Sequence, residues 1–204
     1  MNIITISREF GSGGRELGRL LAESLGYDYY DREIITEIAS RSGMREEYVD
    51  KMLSEHGWRH IPVTSSCSFS TAYVLQSAQA KLLSEQKAVI EKIAESDRDC
   101  VIVGRNADVL LHGFNPLNLF ICADIESRIT RCMERADGEN LTRKKMEREI
   151  KRIDKARAQT REILTGSKWG VRESYHLIIN TTGWELEKLA PAVAGFARCR
   201  FAEE

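Results

Sequence analysis

The segment that most constrains the fold is Ile3-Ile4-Thr5-Ile6-Ser7-Arg8-Glu9-Phe10-Gly11-Ser12-Gly13-Gly14-Arg15-Glu16. An apolar run leads into a loop with three glycines in four residues and then into a helix-forming stretch. A strand, loop and helix in this order leave unpaired backbone N–H groups and the positive end of a helix dipole at one point, which suits a phosphate. The competing interpretation is a tight strand-to-helix turn that merely uses glycine. The position directly after the first strand favours phosphate binding.

Beyond the loop, short apolar runs alternate with longer amphipathic stretches, the pattern of a mainly parallel sheet covered by helices on both faces. The expected strands are Ile3 to Ile6, Tyr27 to Tyr30, Cys100 to Val103, Leu117 to Cys122 and Leu177 to Asn180. Leu17, Leu20, Leu21 and Leu25 recur at helical spacing, and Gly26 supplies a C-terminal stop. From Arg32 to about Ala94 the pattern is helical but irregular, with a break expected at Trp58 to Ser70. Ile125 to Arg135, Thr142 to Leu164 and Glu185 to Phe201 are the remaining expected helices. At 204 residues the chain suits a single domain.

The chain carries 30 basic and 31 acidic residues, a net charge of -1, which argues against a general nucleic-acid surface. Five cysteines without paired spacing exclude a disulfide framework or a zinc site, and the four histidines show no metal-ligand spacing. Neither Ser7 nor Ser12 lies in a nucleophile-elbow pattern. Trp169 and Trp184 are expected to pack in the core or under a lid, since aromatic content is only 7%. No apolar run approaches the roughly 18 residues of a membrane span, and the first strand is too short for a secretory segment, so no membrane partner and a cytoplasmic location are expected. Helix faces such as Ala72 to Ala94 leave the oligomeric state open.

Two nucleotide motifs compete at the loop. The dinucleotide pattern G-x-G-x-x-G fits Gly11 and Gly13 but meets Glu16 at its third glycine, with Asp31 available for a ribose. The mononucleotide pattern G-x-x-x-x-G-K-[ST], with Gly13 as its last glycine, meets Gly14 where lysine belongs and Arg15 where the hydroxyl belongs. Three charged groups accompany the loop. Asp31-Arg32 follows the second strand, where ligands bind in open parallel sheets, although Asp31 also suits a helix cap. Arg105 stands just past the buried third strand, where its planar fork would hold a phosphate. Asp154, Arg157 and Arg161 fall at i, i+3 and i+7, one helix face that would aim two guanidinium groups at a common target.

Taken in order, several stretches resemble the cytidylate kinase-like family of the P-loop nucleoside monophosphate kinases, nearly end to end. They are Ser7 to Glu16, Tyr29-Tyr30-Asp31-Arg32-Glu33-Ile34-Ile35, Val103-Gly104-Arg105-Asn106-Ala107, Asp154-Lys155-Ala156-Arg157 with Arg161, and Trp169-Gly170 before Tyr175 to Thr181. The resemblance implies a three-layer α/β fold of the P-loop NTPase type: a five-stranded parallel sheet flanked by helices, an acceptor-side helical insertion over residues 32–98 and a lid over about 142–170. It implies ATP and Mg2+ as donor and cofactor and a small phosphate acceptor, a nucleoside monophosphate of the CMP or dCMP kind. Arg8, Gly11, Ser12, Gly13, Gly14, Arg15 and Glu16 would then hold the donor phosphates. Asp31, Arg32, Arg105 and Asp154 would hold the acceptor, and Arg15, Arg157 and Arg161 would act in the transfer. Ser12 or Glu16 would touch the metal. The missing lysine also fits a nucleotide-sensing module without turnover.

Overall fold

The structure is a computed structural model and describes residues 1–54, 69–135 and 142–202. Five parallel strands form one sheet: β1 (Ile3–Arg8), β2 (Asp28–Tyr30), β3 (Cys100–Val103), β4 (Leu117–Cys122) and β5 (Leu177–Asn180), in the order β2-β3-β1-β4-β5. Each strand after β1 follows a helical crossover, so every C-terminal strand end lies at one edge of the sheet. The expected strands are present within two residues at each end. The largest difference is β1, which continues past Ile6 because Ser7 and Arg8 pair with Phe120 and Ile121 of β4. That pairing is long-range and carries no local sequence signal.

Helix α1 (Gly14–Leu25) starts directly after the loop, and Gly26, with φ 71°, closes it by donating its N–H to the carbonyls near the helix end. The same αL stop recurs at Gly43 after α2 (Arg32–Ser42). Two further helices, α3 (Glu46–Ser54) and α4 (Phe69–Ala94), complete the segment before β3. The break expected at Trp58 to Ser70 lies, over 58–68, outside the described residues. The short α5 (Ala107–Leu110) follows β3, and α6 (Ile125–Arg135) follows β4. In α7 (Arg143–Thr165) the Thr142 hydroxyl caps the first turn by accepting from the Lys145 N–H. The chain closes with α8 (Leu186–Phe201).

Two apolar layers sandwich the sheet. On one face α1 and α8 pack Leu17, Leu21, Val193 and Ala197 against Ile4, Ile6, Val101 and Leu119. On the other, Ile34 and Ile38 of α2, Val49 of α3 and Leu82 and Ile90 of α4 cover Ile3, Cys100 and Ile102. The central strands are therefore buried on both sides, which is why they are largely apolar, and the polar Thr5 and Asn118 within them hydrogen-bond to each other at 2.6 Å. Part of the segment before β3 thus supplies most of one covering layer, which Ala107 and Leu111 after β3 complete. No helix among the described residues is long and apolar enough to cross a membrane. Trp169, half-buried, packs edge-on against Phe120. Trp184 corrects the expectation that it packs in the core or under a lid: it is 58% exposed, because the turn through Gly183 carries it out to solvent.

Two glycines in helix interiors separate propensity from packing. A Cβ at Gly18 would lie 2.9 Å from Val103 Cγ2 and 3.0 Å from Ile6 Cδ1, both in the buried sheet, whereas a Cβ at Gly195 meets nothing within 4 Å. Alanine gains about 0.5–1 kcal/mol over glycine in a helix, and overpacking costs about 1–3 kcal/mol. Chemical denaturation should show Gly195→Ala stabilising by about 0.5–1 kcal/mol and Gly18→Ala destabilising by about 1–2 kcal/mol.

Candidate functional site

The glycine loop leaves β1 and enters α1 through Gly11 (φ 79°) and Gly13 (φ 82°), conformations that favour glycine. Space demands glycine too: a Cβ at Gly11 would lie 2.8 Å from Cys132 Sγ and 2.9 Å from the Arg128 carbonyl oxygen. Among the described residues, the backbone N–H groups of Gly11, Gly13, Gly14, Arg15 and Glu16 have no backbone acceptor. These donors, at the start of a twelve-residue helix, form an anion site.

Carbonyl groups of the loop point the other way and are pinned from behind. Arg128, on α6, is 7% exposed and donates from Nε to the Phe10 carbonyl at 2.7 Å. It also pairs with Glu9 at 3.2 Å and with Asp154. Arg131, one turn on, donates to the Ser12 carbonyl at 3.2 Å and to Thr181, whose hydroxyl donates to that same carbonyl at 2.6 Å. Asp154, from α7, accepts the Phe10 N–H at 2.8 Å. Sequence reasoning missed Arg128, Arg131 and Thr181. The usable signal was two arginines three residues apart in the helix after β4, on the side that also carries Ile129 and Cys132.

Above the loop lies a cavity of about 470 Å³, within the usual range for a small ligand, lined by Arg8, Gly11, Gly13, Gly14, Arg15 and Arg157 among others. A second, narrow cleft of about 60 Å³ adjoins it, lined by Ser7, Gly104, Arg105, Asn106, Gln86 and Trp169. Arg8 and Arg157 line both. The wall after β3 is unusual: Gly104, Arg105 and Asn106 have φ of 80°, 56° and 53° in succession. Two consecutive non-glycine residues in the left-handed region cost energy and are tolerated where function or tight packing demands them. Buried Gln86 holds the turn by donating from Nε2 to the Arg105 carbonyl at 2.9 Å.

Among the residues lining the two cavities, Arg8, Arg15, Arg105, Arg135 and Arg157 outnumber the carboxylates Glu9 and Glu149. Burial, with repulsion from Arg157, Arg105 and Arg15 set against attraction from Asp31, brings the Arg8 guanidinium down to about 9. Burial likewise brings Arg157 down to about 10, with Asp154 opposing and Arg105, Arg15 and Arg128 adding to the shift. Both remain charged at neutral pH. Their depression expresses burial first and the crowding of like charges second, and a bound anion relieves the second.

The predicted residues divide between the cavities and their surroundings. Asp31, 4% exposed, makes no side-chain cap for α2; its carboxylate holds Arg15 at 2.5 Å and Arg8 at 3.6 Å. Arg105 pairs with Asp50 at 2.7 Å at the cleft. Arg157 donates to the Arg8 carbonyl at 2.9 Å and lies over Phe10. Four expectations need correction in this conformation. Arg161 does not share a target with Arg157: it is 4% exposed and paired with buried Asp108, and its guanidinium faces Tyr175. Asp154 fastens the loop and not the acceptor cleft, because its carboxylate is taken by Phe10 and Arg128. The Ser12 hydroxyl is fully buried and donates to the Glu9 carbonyl at 2.9 Å, and Glu16 pairs with Arg135, which lines the donor cavity while neither Ser12 nor Glu16 does. Arg32 is exposed and lines a hollow with Arg15, Glu16, Asp31 and Arg135 rather than the cleft of Arg105. Glu9 and Glu149 are the carboxylates that do line the donor cavity. Each is engaged, Glu9 by Arg128 and the Ala123 N–H and Glu149 by Arg152, and would have to turn from its partner to serve Mg2+, which takes one or two carboxylates together with substrate phosphates and water.

Solved structures share this architecture. An uncharacterized protein from Eubacterium ventriosum is 27% identical, with a TM-score of 0.70, over 97% of this chain and 98% of its own. Shikimate kinase from Acinetobacter baumannii, in complex with shikimate, is 14% identical at a TM-score of 0.56, over 100% of this chain and 95% of its own. TT1252 from Thermus thermophilus is 20% identical at a TM-score of 0.56, over 97% of each chain. No curated protein sequence matches. The sheet order, the helix-capped glycine loop and these likenesses define a P-loop kinase fold. With residues 3–183 matching its pattern, the chain belongs to the cytidylate kinase-like family.

Proposed function

We propose that this protein transfers the γ-phosphoryl group of ATP to a small phosphate-bearing acceptor, a nucleoside monophosphate of the CMP or dCMP kind, in the cytoplasm. One observation carries this reading: Arg8 and Arg157 line a donor cavity and an acceptor cleft at once, with Arg105 at the far wall. A site that only sensed ATP has no need of a second cationic cleft.

In the transfer, the bond between the γ-phosphorus and the ADP oxygen breaks as an acceptor phosphate oxygen bonds to that phosphorus, giving ADP and a diphosphate. The reaction asks for positioning and charge neutralisation rather than a covalent nucleophile. The free N–H groups of the loop hold the donor, and Arg105, released from Asp50, holds the acceptor phosphate through its fork. Arg157 draws α7 down over both and excludes water, the lid role for this segment. Glu9 and Glu149 would contribute to holding Mg2+, which when bound neutralises the donor phosphates. Membership of the cytidylate kinase-like family supports a phosphotransferase. A second reading, a nucleotide sensor without turnover, draws on Gly14 standing where a lysine is usual.

A panel of ATP, Mg2+ and each common nucleoside monophosphate should give ADP with at least one acceptor; binding without product across the panel favours the sensor. Saturating Mg-ATP, at about a hundred times its Kd, should stabilise the fold by about 2.7 kcal/mol. For a chain of this size that raises Tm by about 5–10 °C in differential scanning fluorimetry. Arg105→Met should lower kcat/KM for the acceptor by about 10- to 100-fold, the weight of a charged hydrogen bond, with KM for ATP within about threefold of wild type.

A further inference from the structure

We infer that Arg8 supplies the phosphate-binding cation that lysine supplies in an ordinary glycine loop, the glycine and the cation having exchanged places along the motif. The inference rests on the phosphotransfer reading above and assigns its principal charge.

The pattern G-x-x-x-x-G-K-[ST], laid on the chain with Gly13 as its last glycine, places residue 8 at the first glycine and residue 14 at the lysine. This chain has arginine at the former and glycine at the latter. The structure ties the two together. A Cβ at Gly14 would stand 2.7 Å from Arg8 Cβ and 3.2 Å from Arg8 Cγ, so no side chain at 14 coexists with the stem of Arg8 where it now lies. From there the arginine runs to β3, where a Cβ at Gly104 would overlap its guanidinium. Gly104 donates its N–H to the Ile6 carbonyl at 2.8 Å, which sets it beside the end of β1. Glycines 14 and 104 thus clear the two ends of one corridor, and Arg8 fills it.

The other candidate cation, Arg15, is half-exposed and bound closely to Asp31, at 2.5 Å. Arg8 is 13% exposed, lies 3.6 Å from the same carboxylate and faces both donor and acceptor cavities. A transferring phosphoryl group passes between those cavities. Arg8 therefore meets the γ-phosphate of ATP, and ADP lacks the group it binds.

The test is the ratio of Mg-ATP to Mg-ADP affinity, measured by calorimetry, with thermal melting run alongside. Arg8→Met should weaken Mg-ATP by about tenfold or more while Mg-ADP stays within about threefold. Gly14→Ala alone should lose the same preference, because its Cβ displaces the Arg8 stem and brings no cation of its own. The exchange variant Arg8→Gly with Gly14→Lys should recover the preference to within about threefold of wild type, after a small shift of Ile121, whose Cβ lies 3.1 Å from the new Cβ. Should Arg8→Met fail to fold, Arg8→Lys should keep the preference and Arg8→Gln should lose it. An unchanged ratio in Arg8→Met or Arg8→Gln, or Gly14→Ala binding as wild type does, overturns the exchange and leaves the phosphotransfer reading standing. A wild-type protein that binds neither nucleotide overturns both.

Discussion

The glycine loop keeps its shape because of one buried guanidinium. Arg128 satisfies the Phe10 carbonyl, Glu9 and Asp154 together, and a buried charge is tolerated only when its partners replace its lost hydration. Asp154 returns the favour by accepting the Phe10 N–H, so α6, α7 and the loop become one hydrogen-bonded unit. Arg131 and Thr181 do the same for the Ser12 carbonyl. With the carbonyls held from behind, the loop's free N–H groups are left facing the cavity. Removing any member of this network leaves a buried polar group unpaired, which costs more than the bond itself contributed.

In front of the loop the balance is reversed. Arg8, Arg105 and Arg157 crowd one region with Asp31, Asp50 and Asp154 as their carboxylate partners, and burial pulls two of the three below their ordinary range. The network behind the loop is satisfied within the protein, whereas the cluster before it is completed by an anion. This contrast separates structural arginines from binding arginines in a chain rich in both. Arg161 falls on the structural side through Asp108, although it shares a helix with Arg157.

Much of the architecture was legible in the sequence. Cys100 to Val103 and Leu117 to Cys122 were recognisable as strands because a central parallel strand is buried on both faces and is therefore apolar, with Asn118 the one polar residue of the two. Helix ends at Gly26 and Thr142 were marked by local chemistry, since a left-handed stop and a hydroxyl cap need only neighbouring atoms. The candidate site was legible as a set of residues but not as an arrangement. Helical spacing put Asp154, Arg157 and Arg161 on one face, yet the face spans several turns, and Arg128 and Asp108 draw two of the three away from the cavity.

The sequence by itself determined a five-stranded parallel α/β fold with a phosphate-binding loop after its first strand, because those features follow from apolar runs, glycine and helix caps over short distances. Only the tertiary structure decided which cations face the ligand. Arg8 and Gly104 are far apart in the chain and meet because β1 pairs with β3. The guanidinium's place, and the reason residue 14 is glycine, depend on that pairing, which no local pattern encodes.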